Sequence, residues 1–162
     1  MNPQFSAFKK QITNPVKYHL YMLANLPAAW FSGLRISSLN EQQAVVSLKK
    51  GWFNKNPFQS VYFAVLAMAA EMSTGLLSMG HIHNRKPAIS MLVTKIEGTF
   101  IKKATGKICF TCNDGNALDK LIESAIISGE SVSIACCSTG RNENNEVVAE
   151  FYITWSFKAR SK

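Results

Sequence analysis

Acidic residues are scarce in this chain, and several other expected features are missing with them. Ten Asp and Glu stand against 18 Lys and Arg, a net charge of +8, which favours an acidic partner: nucleic acid, an anionic membrane face or a phosphate-rich small molecule. The basic residues fall in short clusters, Lys9-Lys10, Lys49-Lys50, Arg85-Lys86, Lys102-Lys103 and the stretch 158–162. No nucleic-acid motif accompanies them, and such scatter is the pattern of a solvated surface, so no nucleic-acid partner is expected. There is no low-complexity tract and no internal repeat. The N-terminus, MNPQFSAFKKQITNP, lacks a continuous apolar run after its basic residues; a secretory signal is not expected and the cytoplasm is.

Histidine is sparse too. The three are His19, His81 and His83, and no further His or carboxylate cluster completes a ligand set around the last two, so no metal is expected. The four cysteines do not make one either. Cys109 and Cys112 lie in GKICFTCN, which reads as a strand, and residues three apart on a strand point to opposite faces. Adjacent Cys136 and Cys137 are separated by the same alternation. Buried, reduced thiols in a reducing compartment are the expectation.

What the sequence has in quantity is apolar surface. With 162 residues, 47% hydrophobic and 17% charged, it suffices for one globular domain over 1–162. The dominant stretch is Asn56 to Gly80, NPFQSVYFAVLAMAAEMSTGLLSMG, in which Val61 to Ala70 are all apolar or aromatic. Small residues at 64, 67, 69 and 70 alternate with Val65, Leu66, Met68 and Met72. This predicts a helix buried nearly all round that other backbone approaches closely. A bilayer span is disfavoured, because Glu71 sits mid-segment and Ser73, Thr74 and Gly75 dilute the rest; no membrane insertion is expected. A carboxylate in such a helix either faces an interface edge and is satisfied structurally, or acts as a base or nucleophile in a cleft.

Around this helix the elements follow from periodicity. The first thirty residues hold two short helices, the second opened by Asn14-Pro15 and closed by Pro27, positioned as a lid or brace. Leu34 to Leu39 and Ala44 to Lys50 form a hairpin across Asn40 to Gln43. Gly51 to Pro57 is a loop whose Trp52 and Phe53 either anchor the core or line a pocket mouth. Gly75 and Gly80 weaken or end the central helix, and HIHNRKP is a loop. Four strands follow, 88–101, 106–113, 130–138 and 146–157. Between the second and third, a helix is capped by Asn116 and ended by Gly129. The fold class is α+β, an antiparallel sheet of about six strands wrapped around the helix, with residues 1–30 as a helical extension.

The order of a strand pair, a loop with Asn and Pro, a long apolar helix bearing one acid, and four long strands resembles the hotdog fold of acyl-CoA thioesterases. The likeness is greatest to the phenylacetate-pathway type and its thioesterase-like relatives. It covers roughly 30–157, and its specific match is Asn56-x-x-Gln59-Ser60-x-Tyr62, Ala70-Glu71 and Gly75. Catalytic members open the helix with His-Gly-Gly nine positions before the acid. Here Tyr62-Phe63-Ala64 occupies that place, and Phe63 narrows an approach that glycine leaves open.

The resemblance implies a composite site in a homodimer or a dimer of dimers. If Ser60 is the N-cap, the amides of Val61 to Phe63 lack intrahelical acceptors and suit an oxyanion. Glu71 lies about 12 Å further along the axis, at about 1.5 Å per residue, so a second subunit must supply one of the two groups. Glu71 would be general base or nucleophile, with the Phe63 or Ala64 amide of the neighbour holding the thioester oxygen. Asn56, Gln59, Ser60 and Tyr62 would line the substrate's approach, Thr74 the same wall as Glu71, and Arg85 and Lys86 a coenzyme A phosphate. No cofactor is implied. Three functions fit: an acyl-CoA thioesterase, a non-catalytic acyl or acyl-CoA binding protein, and a dehydratase. The last requires a His beside the acid, which none of the three His positions provides.

Overall fold

The computed structural model describes residues 2–160; Ser161 and Lys162, the end of the basic 158–162 stretch, lie outside the described residues. In chain order the elements are α1 (Phe5–Ile12), α2 (Pro15–Asn25), α3 (Pro27–Phe31), β1 (Arg35–Leu39), β2 (Ala44–Lys49), α4 (Phe63–Ile82), β3 (Ile89–Phe100), β4 (Lys107–Cys112), α5 (Gly115–Ser128), β5 (Val132–Arg141) and β6 (Val147–Ala159). The strands make one antiparallel six-stranded sheet in the order β1-β2-β4-β5-β6-β3. Helix α4 packs across β2, β4, β5 and β6, which is the hotdog arrangement.

Alternation builds the inner face. Ala44, Val46 and Leu48 of β2, Ile108, Phe110 and Cys112 of β4, and Phe151, Ile153, Trp155 and Phe157 of β6 are all buried, at the period of two that a half-covered sheet requires. Cys109 and Cys112 do face opposite ways, one half-buried and one buried, and all four cysteines are free. Only Cys112 and Cys136 are fully buried, and they meet across β4 and β5, a contact that pushes the Cys136 thiol pKa up together with its burial. Cys109 and Cys137 are half-buried, short of the burial expected for all four.

The N-terminal segment has three helices where two were expected. Asn14 caps α2 by accepting the Lys17 amide at 3.1 Å, with Pro15 in the first position. Pro27 both ends α2 and begins α3, since its fixed φ suits a first helical residue as well as a stop. Phe5, Phe8 and Ile12 bury α1, and the Asn2 amide donates to the carbonyls of Gly80 and His83 at 2.9 and 2.8 Å, closing the end of α4.

Both ends of α4 differ from the sequence reading. The cap is Tyr62, not Ser60, because the Ser60 hydroxyl is already bonded to the Asn56 side chain. Gly80 does not end the helix, which runs to Ile82. It is a flat on which α1 docks: a Cβ there would lie 2.3 Å from the Phe5 ring. His81, expected in a loop, is therefore in the last turn and fully buried. Its Nε2–H donates to the Glu41 carbonyl at 2.9 Å, and its Nδ1 lies 3.3 Å from Asp119. Trp52 and Phe53 are exposed and anchor no core. Helix α5 begins at Gly115 after Asp114, not after an Asn116 cap; the Asp114 carboxylate instead accepts the Cys137 amide at 2.7 Å. Gly129 ends α5 at φ 71, as expected.

Two glycines separate space from conformation. A Cβ on Gly115 would sit 2.0 Å from the Glu41 carbonyl oxygen, whereas Gly33, at φ +81, has open space around it. Gly33→Ala is expected to cost about 1–2 kcal/mol for the left-handed backbone, a Tm loss of about 2–4 °C per kcal/mol. Gly115→Ala should cost more, about 3 kcal/mol, because backbone lies on both sides of the clash. Thermal melts of the two variants check the order.

Candidate functional site

Along α4, residues 64, 68, 71, 75, 79 and 82 recur at helical spacing as one stripe, and all but Gly75, which lies against Trp155, are left partly uncovered by the sheet. Ala64, Met68, Glu71 and Met79 are half-buried. Above them lies the bend between α2 and α3. Glu71 borders two apolar cavities under that bend. One, of about 190 Å³, is walled by Ile12, Tyr21, Met22, Gly75 and Met79; the other, of about 260 Å³, by Asn25, Pro27, Ala28 and Met68. Leu26 and Met72 border both.

Among the described residues, the Glu71 carboxylate accepts no hydrogen bond and meets no cation. Burial in these apolar walls pushes its pKa above the usual carboxylate range. Gly75, one turn on, lies against the Trp155 ring, where a Cβ would come to 3.3 Å, and beside Oε1 of Glu71 at 3.5 Å. An unpaired carboxylate with a raised pKa, open on one side to a cavity, is chemically suited to accept a proton.

The N-terminus of α4 forms a separate region. Tyr62 and Phe63 project from it, Phe63 56% exposed, into a cavity of about 510 Å³ bordered by Phe58, Phe100, Ile101, Lys102 and Lys103. Of the amides expected to be free, two are not: Val61 donates to Ala104 at 2.9 Å and Tyr62 to Asn54 at 2.8 Å. The Phe63 and Ala64 amides meet no acceptor among the described residues, and the helix dipole adds positive potential there. Phe63 and Glu71 remain two turns apart on one helix, so a single chain does not bring them together.

The other candidates are mostly committed elsewhere. Asn56 braces its own loop, its Oδ1 accepting the Phe58 and Ser60 amides at 3.0 and 3.1 Å. Gln59 is exposed at φ 59 and its carbonyl accepts from Lys50 at 3.1 Å. Thr74 is fully buried; its hydroxyl donates to the Glu71 carbonyl and accepts from the Trp155 indole, both at 2.9 Å. It therefore holds the helix and does not line the cavity wall beside Glu71. Arg85, expected to meet phosphate, is taken by Asp119 at 3.1 Å and by Glu123. Lys86 stays exposed. No group of three His, Cys, Asp or Glu among the described residues could hold a metal ion.

Sequence reasoning missed two contributors. Asn54 is 4% exposed and ties the loop before α4 by donating to the Ser32 and Lys49 carbonyls. The α2–α3 bend supplies one wall of the Glu71 cavities; its only sequence signal is Leu26-Pro27 interrupting an apolar helix.

The profile of a domain of unknown function, DUF4442, matches residues 19–157. No curated protein matches the chain. Several solved structures share its fold. A Pseudomonas aeruginosa protein of unknown function, described as a probable thioesterase, is 22% identical over 90% of this chain and 97% of its own, with a TM-score of 0.75. A Chlorobaculum tepidum protein of unknown function is 18% identical over 90% and 94%, at a TM-score of 0.73. A Haemophilus influenzae thioesterase is 14% identical over 86% and 88%, at 0.63.

The raised Glu71 pKa fixes a sign. The folded chain holds this proton more tightly than the unfolded chain, so stability falls as pH rises from the ordinary carboxylate range through the folded pKa. Glu71→Gln, neutral throughout, is expected to raise Tm at pH 8, by about 2–4 °C for each kcal/mol relieved. The gain should vanish below the ordinary carboxylate pKa. Melts from pH 4 to 8 read it directly.

Proposed function

Since this chain belongs to the DUF4442 family and has the hotdog fold, we propose that it is an acyl-CoA thioesterase acting at a composite site between two copies. The observation that carries this is the unpartnered Glu71 carboxylate beside two apolar cavities. Glu71 of one subunit takes a proton from water as the water oxygen attacks the thioester carbonyl. The Phe63 and Ala64 amides of the other subunit stabilise the oxyanion. The intermediate then collapses, the carbon–sulfur bond breaks, and the proton on Glu71 passes to the departing thiolate. Direct attack by Glu71, through an anhydride that water then cleaves, uses the same arrangement.

The β3 edge supports the assembly. Leu92, Ile96 and Phe100 are 66%, 51% and 52% exposed; Ile96 and Phe100 pair with Ile153 and Ala149 on the helix side of the sheet, while a bulge between Val93 and Lys95 turns Leu92 to the other face, and such an edge is a ready site for antiparallel pairing with a second copy. Phe100 touches Phe63, ring centroids 6.3 Å apart, so the edge and the helix N-terminus are neighbours. A homodimer joined there, alone or paired into a tetramer, presents each helix N-terminus to the partner's helix. Lys86, Lys102 and Lys103 offer charge to the coenzyme phosphates. The chain works as one domain in the cytoplasm, without cofactor, nucleic-acid partner or membrane insertion. Phe63 at the oxyanion amides favours a second reading, an acyl-CoA binding protein without turnover.

Hydrolysis of a panel of short, aryl and long acyl-CoAs, followed by released thiol, is expected for the wild type. It should fall about 10²–10⁴-fold in Glu71→Ala. The wild-type kcat/KM should rise with pH through a pKa above the usual carboxylate range, because the base acts ionised. Acyl-CoA that raises Tm without being cleaved would establish the binding protein instead.

A further inference from the structure

We infer that the 190 Å³ cavity beneath the α2–α3 bend is the acyl pocket, and that it selects acyl groups of about six to eight carbons. The inference rests on the thioester reading of Glu71 and names the substrate class of that site.

The two cavities beside Glu71 differ in what surrounds them. The smaller is walled mostly by buried or half-buried residues, Ile12, Met22 and Leu76 among them, with Tyr21 and Leu26 exposed at its rim, and Glu71 is the only carboxyl that lines it. The larger is rimmed by Asn25, Pro27 and Ala28, all exposed, so it leads to solvent. A thioester whose carbonyl lies at Glu71 therefore has its hydrocarbon end directed inward and its polar thiol arm directed out past Asn25. The reverse placement would set a polar arm against three methionine side chains and Ile12, with Tyr21 the one polar side chain besides Glu71 along the wall, which is the costly alternative.

Size sets the class. An apolar cavity of about 150 Å³ holds benzene, so about 190 Å³ takes six to eight carbons, straight or aromatic. Larger drug-sized groups need about 300 Å³ or more. Met22, Met72 and Met79 line this cavity, and their unbranched thioethers adapt to either shape. Met79 lies two turns beyond Glu71 on the same stripe of α4 and, with Ile12 and Tyr21, stands between this cavity and a further one of about 200 Å³. Leu26 and Met72, shared by both cavities, lie with Glu71 where the two meet.

The test uses S-alkyl coenzyme A thioethers of two to twelve carbons and an S-benzyl analogue, which cannot be hydrolysed, titrated calorimetrically into the full-length protein. Affinity should climb about fourfold per methylene up to six to eight carbons and then level off. The benzyl analogue should match the six-carbon chain if an aromatic group fits equally. In Met79→Trp the rise should stop at shorter chains; in Met79→Ala it should extend to longer ones. Affinity independent of chain length overturns the inference, as does an identical chain-length profile in wild type and both variants. Hydrolysis is scored apart: chain-dependent binding with no cleavage of the matching thioester would end the catalytic reading and leave the pocket standing. Cleavage with no chain dependence would do the opposite.

Discussion

Everything in this molecule depends on how one apolar helix is held in rotation. At about 100° per residue, set by 3.6 residues per turn, a slip of one position would turn Glu71 from the open side of α4 toward the sheet. Buried hydroxyls prevent this. Thr74 is fixed by the Trp155 indole at 2.9 Å and Ser73 pairs with Ser138 at 2.7 Å. These bonds lie in a dry interior where an unmade partner is expensive, so they specify one rotation where apolar packing alone would tolerate several.

The same rotation explains the roof. With the sheet covering one side of α4, the stripe through Met68, Glu71 and Met79 remains, and α1 to α3 cover it. Asn2 and Phe5 clamp the helix end, and Arg85 joins α4 to α5 through Asp119 and Glu123. The α2–α3 bend does not close fully on the stripe. That incomplete closure, at the one position of α4 carrying a carboxylate, leaves the cavities, while burial against their apolar walls raises the Glu71 pKa.

The proposed catalytic groups are divided between the start and the middle of α4. The free amides sit at the start of α4 and the carboxylate in its middle, and helix rise separates them irrespective of side-chain choice. An unpaired β3 edge next to Phe63 is then more than a place for association. In the proposed thioesterase it would be the means by which one chain's amides and another's carboxylate reach a common carbonyl.

Much of this was legible from residues alone. Alternating runs gave all six strands to within a few residues, and the apolar run around Glu71 marked the central helix, because periodicity and burial are local properties of sequence. Glu71 itself was legible since a lone charge in such a helix needs an explanation. The helix limits were not, because Ser60 and Gly80 have ordinary capping chemistry and only tertiary partners, Asn56 and Phe5, divert them. Arg85 looked free for phosphate until folding placed α5 carboxylates against it, and Thr74 until Trp155 reached it across the core. The sequence by itself determined the six strands, the buried helix and its single carboxylate. Tertiary structure alone decided which face that carboxylate presents and that residues from an N-terminal bend wall its cavities, since both depend on contacts between segments dozens of residues apart.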